Sequence, residues 1–190
     1  MTKRWQKLFL CVVVGAACGG GYFYFTRDAV KNEVTIDADI RNYTGTSEQT
    51  ALIKKQFKDN WYWLITSSNY DVDYMLSTHS PNTYEPKYTG KMKIKVLYNE
   101  EGVPVGFGTY YMRNAAHGEV LFIAIDNAFR GKHYAEKLVN YAINDLRAMG
   151  AKTVKLLTRT DNKPARKLYE RLKFTQTHSS PTHVYFRKDF

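Results

Sequence analysis

From Lys91 onward the chain alternates. Met92, Ile94, Val96 and Tyr98 are apolar, and Lys91, Lys93 and Lys95 stand between them. A period of two predicts a half-buried strand with the lysines on its wet face. The Gly- and Pro-containing stretch 99–104 predicts a turn, and 105–112 returns as a second strand. Residues 114–118 turn the chain again and 119–125 supply a third strand, which makes an antiparallel meander. The period then changes. Ala135, Leu138, Val139, Ala142, Ile143, Leu146 and Met149 recur at helical spacing and predict an amphipathic helix closed by Gly150. Residues 152–158, carrying Val154, Leu156 and Leu157, predict a strand. Asp161 or Asn162 then caps a second helix, with Pro164 in its first turn where a missing N–H costs nothing. That helix runs to about Lys173, and 174–178 and 183–186 predict two last strands.

Ahead of Lys91 the signals are sparser. Residues 34–40 alternate and predict a strand, and Ser47 is placed to cap a helix running to about Lys58 through Ala51, Leu52 and Phe57. From Trp61, Tyr62 and Trp63 through Tyr70, Tyr74, Tyr84 and Tyr88 the chain is aromatic without a clear period, and Pro81 and Pro86 mark loops. The order from Lys91, β-β-β-α-β-α-β-β, implies an α/β (α+β) fold: a mixed sheet with helices packed on it.

The N-terminus is of another kind. A short basic stretch, 1–7, contains Lys3, Arg4 and Lys7, and 8–25 is an uncharged run, LFLCVVVGAACGGGYFYF. Its length approaches the roughly 20 residues that span a bilayer, and Trp5, Tyr22 and Tyr24 suit the two interfaces. The first reading is one hydrophobic helix serving as a single-pass transmembrane anchor. The rival is a signal peptide, removed after export, since a charged start, an apolar core over 8–18 and small residues follow in order. A buried helix of the folded domain fits less well, because Gly19, Gly20 and Gly21 each weaken a helix interior. Residues 34–190 then form the folded domain.

Composition adds limits. The chain of 190 residues fits one folded domain beyond its N-terminal segment, and its formal net charge is +10. A basic surface suits an anionic cofactor, lipid or nucleic acid, but no nucleic-acid motif accompanies it, and no nucleic-acid partner is expected. Both cysteines, Cys11 and Cys18, lie in the apolar run, so the rest of the chain has none for a disulfide. The histidines His79, His117, His133, His178 and His183 fit no metal-ligand spacing, and no metal is expected.

The chemistry gathers where the third strand meets the long helix. Arg130, Gly131 and Lys132 make a basic turn at a helix start, where free backbone N–H groups and the helix dipole converge on an anion such as a phosphate or pyrophosphate. A Walker-type loop would need Gly-Lys-Ser/Thr, which is absent.

Strand, IDNAFRGKHYAEKL, helix, strand and NKPARKLYERLKF together resemble the GCN5-related N-acetyltransferase (GNAT) family. The family's loop, Arg or Gln, two residues, Gly, one residue, Gly or Ala, is met by Arg130 and Ala135, with His133 at the position of its first glycine. A second motif, Asn, two residues, Ala, three residues, Tyr, is met by Asn162, Ala165 and Tyr169. Phe174 follows where the family has Gly-Phe, with Lys173 in place of the glycine. The resemblance covers 34–190 and is strong from Lys91. It implies a mixed, mostly antiparallel sheet with helices on both faces, acetyl-CoA as co-substrate and an amine acceptor attacked directly in a ternary complex.

By the same resemblance Ile125, Arg130, Gly131, Lys132, His133, Tyr134, Ala135 and Asn162 contact the cofactor. Tyr169 becomes the acid for the departing thiolate, as a phenol in reach of the sulfur can be. A core aromatic beside Leu168 and Leu172 is the plainer reading of Tyr169, and a simple helix cap that of Asn162. Where some relatives carry a basic Glu this chain has Leu157. Glu119 acting through a water is the substitute, while His117 reads better as a turn residue. The implied function is a membrane-tethered acyltransferase moving an acetyl group from a CoA thioester to an amine. The other possibility is a catalytically inactive CoA-binding or interaction module on the same fold. The charge bias around 8–25 favours an external C-terminus, whereas acetyl-CoA is cytoplasmic, so the side of the membrane stays open.

Overall fold

The computed structural model describes residues 39–65, 70–81 and 91–190. The basic stretch 1–7, the apolar run 8–25 and most of the expected strand 34–40 lie outside the described residues, as do Tyr84 and Tyr88. Among the described residues no helix is long and apolar enough to cross a membrane.

The elements are β1 (Asp39–Asn42), α1 (Ser47–Asp59), α2 (Trp61–Leu64), α3 (Val72–Thr78), β2 (Lys93–Tyr98), β3 (Pro104–Asn114) and β4 (His117–Ile125). A 3-10 turn (Asn127–Phe129) follows, then α4 (Tyr134–Ala148), β5 (Thr153–Arg159), α5 (Lys163–Arg171), β6 (Thr175–Ser179) and β7 (His183–Asp189). The strands form one sheet in the order β1-β2-β3-β4-β5-β7-β6. Every neighbouring pair is antiparallel except β4 with β5. The expected mixed, mostly antiparallel sheet is borne out, and helices cover both of its faces.

Leu52, Ile53 and Phe57 of α1 and Met75 and Leu76 of α3 pack on Ile94, Val96, Phe107 and Phe122. On the opposite face Val139, Ile143 and Leu146 of α4, with Leu168 of α5 and Leu172 at its C-terminal cap, pack on Val154, Leu156, Val184 and Phe186. Strand β2 is therefore covered twice, which corrects one expectation. Lys91 and Lys93 are exposed as the alternation implied, but Lys95 is buried beneath α4. Its ammonium donates to Asn42 Oδ1 at 2.7 Å and to the Tyr141 hydroxyl at 3.1 Å, so the charge enters the interior only with partners.

The helix ends explain much of the local order. Thr46, one residue before the expected Ser47, caps α1 by accepting from Gln49 N–H. Asn162 caps α5, its Oδ1 accepting from Ala165 N–H at 3.2 Å, with Pro164 in the first turn. At the other end of α5, Lys173 N–H donates to the Glu170 carbonyl and Phe174 N–H to the Tyr169 carbonyl. This paired closure needs a left-handed residue between helix and strand, and Lys173 takes it at φ 62°.

Strand β4 carries one residue too many for its partner. Thr109 pairs with Phe122 and Tyr110 with Val120, so Leu121 is a bulge. The fully buried Thr109 repairs the ladder there, its hydroxyl accepting from Phe122 N–H at 3.2 Å. Side chains change face across the bulge: Val120 packs beneath α4 and α5, while Phe122 and Ala124 join the α1 side. The parallel ladder of β4 with β5 runs only through His117–Thr153, Gly118–Val154 and Glu119–Lys155. Past Glu119, where the bulge begins, the two strands part.

Thr109→Val keeps the shape but removes the acceptor for a buried N–H. Urea unfolding is expected to show a loss of about 1–3 kcal/mol, the cost of an unsatisfied buried donor.

Candidate functional site

The parting of β4 and β5 opens a cavity of about 550 Å³. Ile123, Ala124 and Ile125 of β4 form one side and Asn162, Pro164, Ala165, Leu168 and Tyr169 of α5 and its cap form another. Arg130, Gly131, His133, Tyr134, Ala135 and Glu136 close the end at the start of α4, and Asn60, Trp63 and Leu64 contribute from the α1–α2 side. Asp126 N–H donates to the Val105 carbonyl, so by strand alternation the backbone groups of Ile123 and Ile125 point away from β3, into the opening.

The loop before α4 supplies donors. Among the described residues, the backbone N–H groups of residues 131–136 donate to no protein acceptor; the first in the helix to do so is Lys137, to the His133 carbonyl at 3.1 Å. Gly131 has φ +80° and His133 φ 59°, so two left-handed residues bend the chain around those N–H groups into an anion-binding concavity. Histidine tolerates this conformation better than most residues with a Cβ. The His133 imidazole does not cap the helix; its Nδ1 lies 3.2 Å from Glu136 Oε2. Glu136 also receives Arg171 Nη2 at 3.3 Å, and these two neighbours, His133 first, hold its carboxyl below the usual carboxylate range.

Arg130 turns inward. Its Nε donates to the Ile125 carbonyl at 3.2 Å and its Nη2 to Asn60 Oδ1 at 2.7 Å. Beside it Asp126 accepts from Lys55 Nζ at 2.6 Å, Gln56 Nε2 at 3.2 Å and Ala128 N–H at 3.1 Å. Lys55 above all holds the Asp126 carboxyl below its ordinary value against the opposing effect of burial, with a lesser contribution from the Ala128 N–H. A polar knot thus pins the end of α1 to the start of the loop.

Tyr169 lies across the cavity, edge-on to Phe186 and Phe174 at ring distances of 5.5 and 6.0 Å. Among the described residues its hydroxyl has no hydrogen-bond partner. Burial pushes the phenol up to about 12, so it keeps its proton at neutral pH. Tyr169 is thus a core aromatic, as its plainer reading has it, and it also lines the cavity.

Eight of the ten residues singled out from sequence line this one space: Ile125, Arg130, Gly131, His133, Tyr134, Ala135, Asn162 and Tyr169. Lys132 does not; its ammonium lies 5.7 Å from the Phe129 ring centroid. Glu119 does not either. It stands at the last rung of the β4–β5 ladder with its carboxylate bound to Arg113 Nη1 at 2.9 Å. Sequence reasoning did not single out Asn60, just past the end of α1, or Lys167 and Arg171, one turn apart on α5; Trp63 and Leu64 come from the aromatic stretch without a clear period.

A parted mixed sheet, a loop of free N–H groups and an Asn-capped helix carrying an inward tyrosine thus meet at one cavity. Residues 58–174 match the Acetyltransferase (GNAT) family, and the chain belongs to that family. A stretch of 84 residues is 33% identical to the mycothiol acetyltransferase of Corynebacterium glutamicum (strain R), covering 44% of this chain and 28% of that protein. Another of 54 residues is 43% identical to the [ribosomal protein bS18]-alanine N-acetyltransferase of Haemophilus ducreyi (strain 35000HP / ATCC 700724), covering 28% of this chain and 37% of the relative. The chain therefore spans well under half the length of these relatives. In fold it is similar to the crystal structure of Ard1 from Thermoplasma volcanium, with TM-score 0.61 and 18% identity over 80% of this chain and 97% of that one.

The Asp126 knot has a pH signature. A carboxyl held below its unfolded value, about 3.9, adds stability above that pH and loses it as the pH falls through the folded value. Thermal melts of the wild type are expected to decline steeply below about pH 4, whereas Asp126→Asn melts lower at pH 7 and declines less on acidification.

Proposed function

We propose that this chain is an acetyl-CoA-dependent N-acetyltransferase that acts on an amine by direct attack in a ternary complex. One observation carries the reading: the free N–H groups of residues 131–136 and the unpartnered Tyr169 hydroxyl belong to one cavity, flanked by the open edge of β4. The diphosphate of CoA suits the N–H groups at the start of α4, which need no metal to neutralise it. The N–H and carbonyl groups of Ile123 and the N–H of Ile125 suit the amide-bearing arm, as an added strand would. The same edge offers an N–H to the oxygen of the tetrahedral intermediate.

In that arrangement the acceptor nitrogen forms the new C–N bond as the thioester C–S bond breaks. The ammonium first gives one proton to water so that its nitrogen can attack, Tyr169 gives its proton to the leaving sulfur, and the second proton lost from nitrogen returns through water to the Tyr169 phenolate. A phenol with a raised pKa holds its proton until negative charge develops beside it, as this step requires. Trp63 and Leu64 of α2 are placed to wall the acceptor side. Residues 8–25, with Lys3, Arg4 and Lys7 before them, support a membrane-tethered form with an amine acceptor reached from the folded domain.

Glu119 favours a second reading. Its carboxylate belongs to Arg113 and lies outside the cavity lining, so a base acting from there must work through water. If no base serves, the chain is a CoA-binding module without turnover.

Two outcomes test the proposal. Thiol release from acetyl-CoA across a panel of amines is expected from the wild type and to fall by about 10²-fold or more in Tyr169→Phe, with CoA affinity unchanged; CoA binding without turnover on any amine supports the module instead. His133→Gly, which frees a left-handed position and removes a Cβ beside the anion loop, is expected to tighten CoA binding by up to about tenfold in calorimetry. Equal or weaker affinity would count against His133 being a handicap to CoA binding.

A further inference from the structure

The junction of α1 and α2 is tied down more heavily than a bend between two helices requires. Asn60 closes α1 and opens α2: its N–H donates to the Gln56 carbonyl, and its own carbonyl accepts from Trp63 and Leu64 N–H. Its side chain, 6% exposed, donates through Nδ2 to the Gln56 carbonyl and to Gln56 Oε1, both at 3.1 Å. Those two acceptors fix which way the amide points and leave Oδ1 as the acceptor for Arg130 Nη2. Arg130 begins the anion loop, and its Nε holds the last carbonyl of β4. One guanidinium therefore joins β4, the loop and α2.

The far end of α2 is fastened to the other side of the opening. Tyr62 donates its hydroxyl to Asp161 at 2.9 Å, and the Arg159 guanidinium lies 4.0 Å from the Tyr62 ring centroid. Arg159 also donates to the Tyr62 and Ile65 carbonyls. Helix α2 has only four residues, none of them buried. Its position is set by these ties rather than by a core of its own, and between them it presents Trp63 and Leu64 to the cavity.

We infer that Asn60 is a positioning residue coupling the two sides of the cavity. Occupation of the anion loop by CoA steadies Arg130, Arg130 steadies Asn60, and α2 is thereby set as the wall against which the acceptor is placed. The inference rests on the CoA reading above and assigns Arg130 a task other than gripping phosphate. It also explains the choice of asparagine: one face of the side chain must donate to Gln56 while the other accepts from a guanidinium.

Hydrogen exchange of the full chain, with and without CoA, tests this alongside calorimetric CoA affinities. Asn60→Ala removes both sets of side-chain bonds, whereas Asn60→Asp keeps the acceptor for Arg130 and gives up the donors to Gln56. CoA is expected to slow exchange over residues 57–65 by about fivefold or more in the wild type and Asn60→Asp, and not in Asn60→Ala. All three are expected to bind CoA within about threefold of one another. Protection absent from the wild type, retained in Asn60→Ala, or lost equally in Asn60→Asp overturns the coupling, as does a larger fall in CoA affinity in either variant. If Asn60→Ala does not fold, Arg130→Lys, which cannot reach Asn60 and Ile125 together, takes its place: lost protection supports the coupling and full protection overturns it. A wild type that binds no CoA defeats the cofactor reading itself, and calorimetry shows that before any exchange is measured.

Discussion

The site depends on β4 being one residue longer than β3 can pair. The surplus at Leu121 bends the strand, moves the following side chains to opposite faces and ends the ladder to β5 at Glu119. Without that residue the sheet would close and the cavity would be filled by a continued ladder. Thr109 makes the irregularity tolerable, because its hydroxyl accepts the N–H that the bulge displaces. A local defect in hydrogen bonding is thus converted into a place where the N–H and carbonyl of Ile123 and the N–H of Ile125 are free to meet a ligand.

Two other departures from regular structure sit at the ends of the helices that flank this opening. His133 and Lys173 both occupy left-handed conformations, which cost most residues roughly 1 kcal/mol or more. The family pattern that the chain resembles has glycine at these points, and the geometry fits it: the backbone must turn there whatever the side chain. At Lys173 the turn closes α5 through the Tyr169 carbonyl, so the helix end and the tyrosine are held by one motif. At His133 it gathers the N–H groups of the loop. The chain retains the required backbone at both sites and adds a side chain that glycine lacks.

The meander, the long helix with its Gly150 stop and the Asn162 cap were legible because each rests on local periodicity or on a capping residue next to its partner. The basic turn was legible from its own residues, the other loop contacts and Tyr169 only through the family resemblance, and eight of the ten chosen do share the cavity. What escaped has a common cause. The run VLFIAI is apolar at every position, so no alternation of residue type betrays Leu121 as surplus. Lys95 looked wet because its own strand alternates, whereas its burial is decided by α4, 46 residues away at Tyr141. Arg130 and Asn60 are 70 residues apart, and nothing near either one announces the other. Glu119 was a reasonable base by position, but Arg113, across a turn, holds its carboxylate.

The short ladder between β4 and β5 bears on how the domain is assembled. Strands β1 to β4 form an antiparallel set of their own, and β5, β7 and β6 form another, each built largely from neighbours in the chain. Three rungs and the packing of α4 and α5 are what join them. A crossover pairing so brief contributes little until α4 has docked on both sets, since long-range contacts must first offset the entropy of closing the chain. The two strand sets are therefore natural cooperative units, with the mouth of the cavity lying along the seam between them.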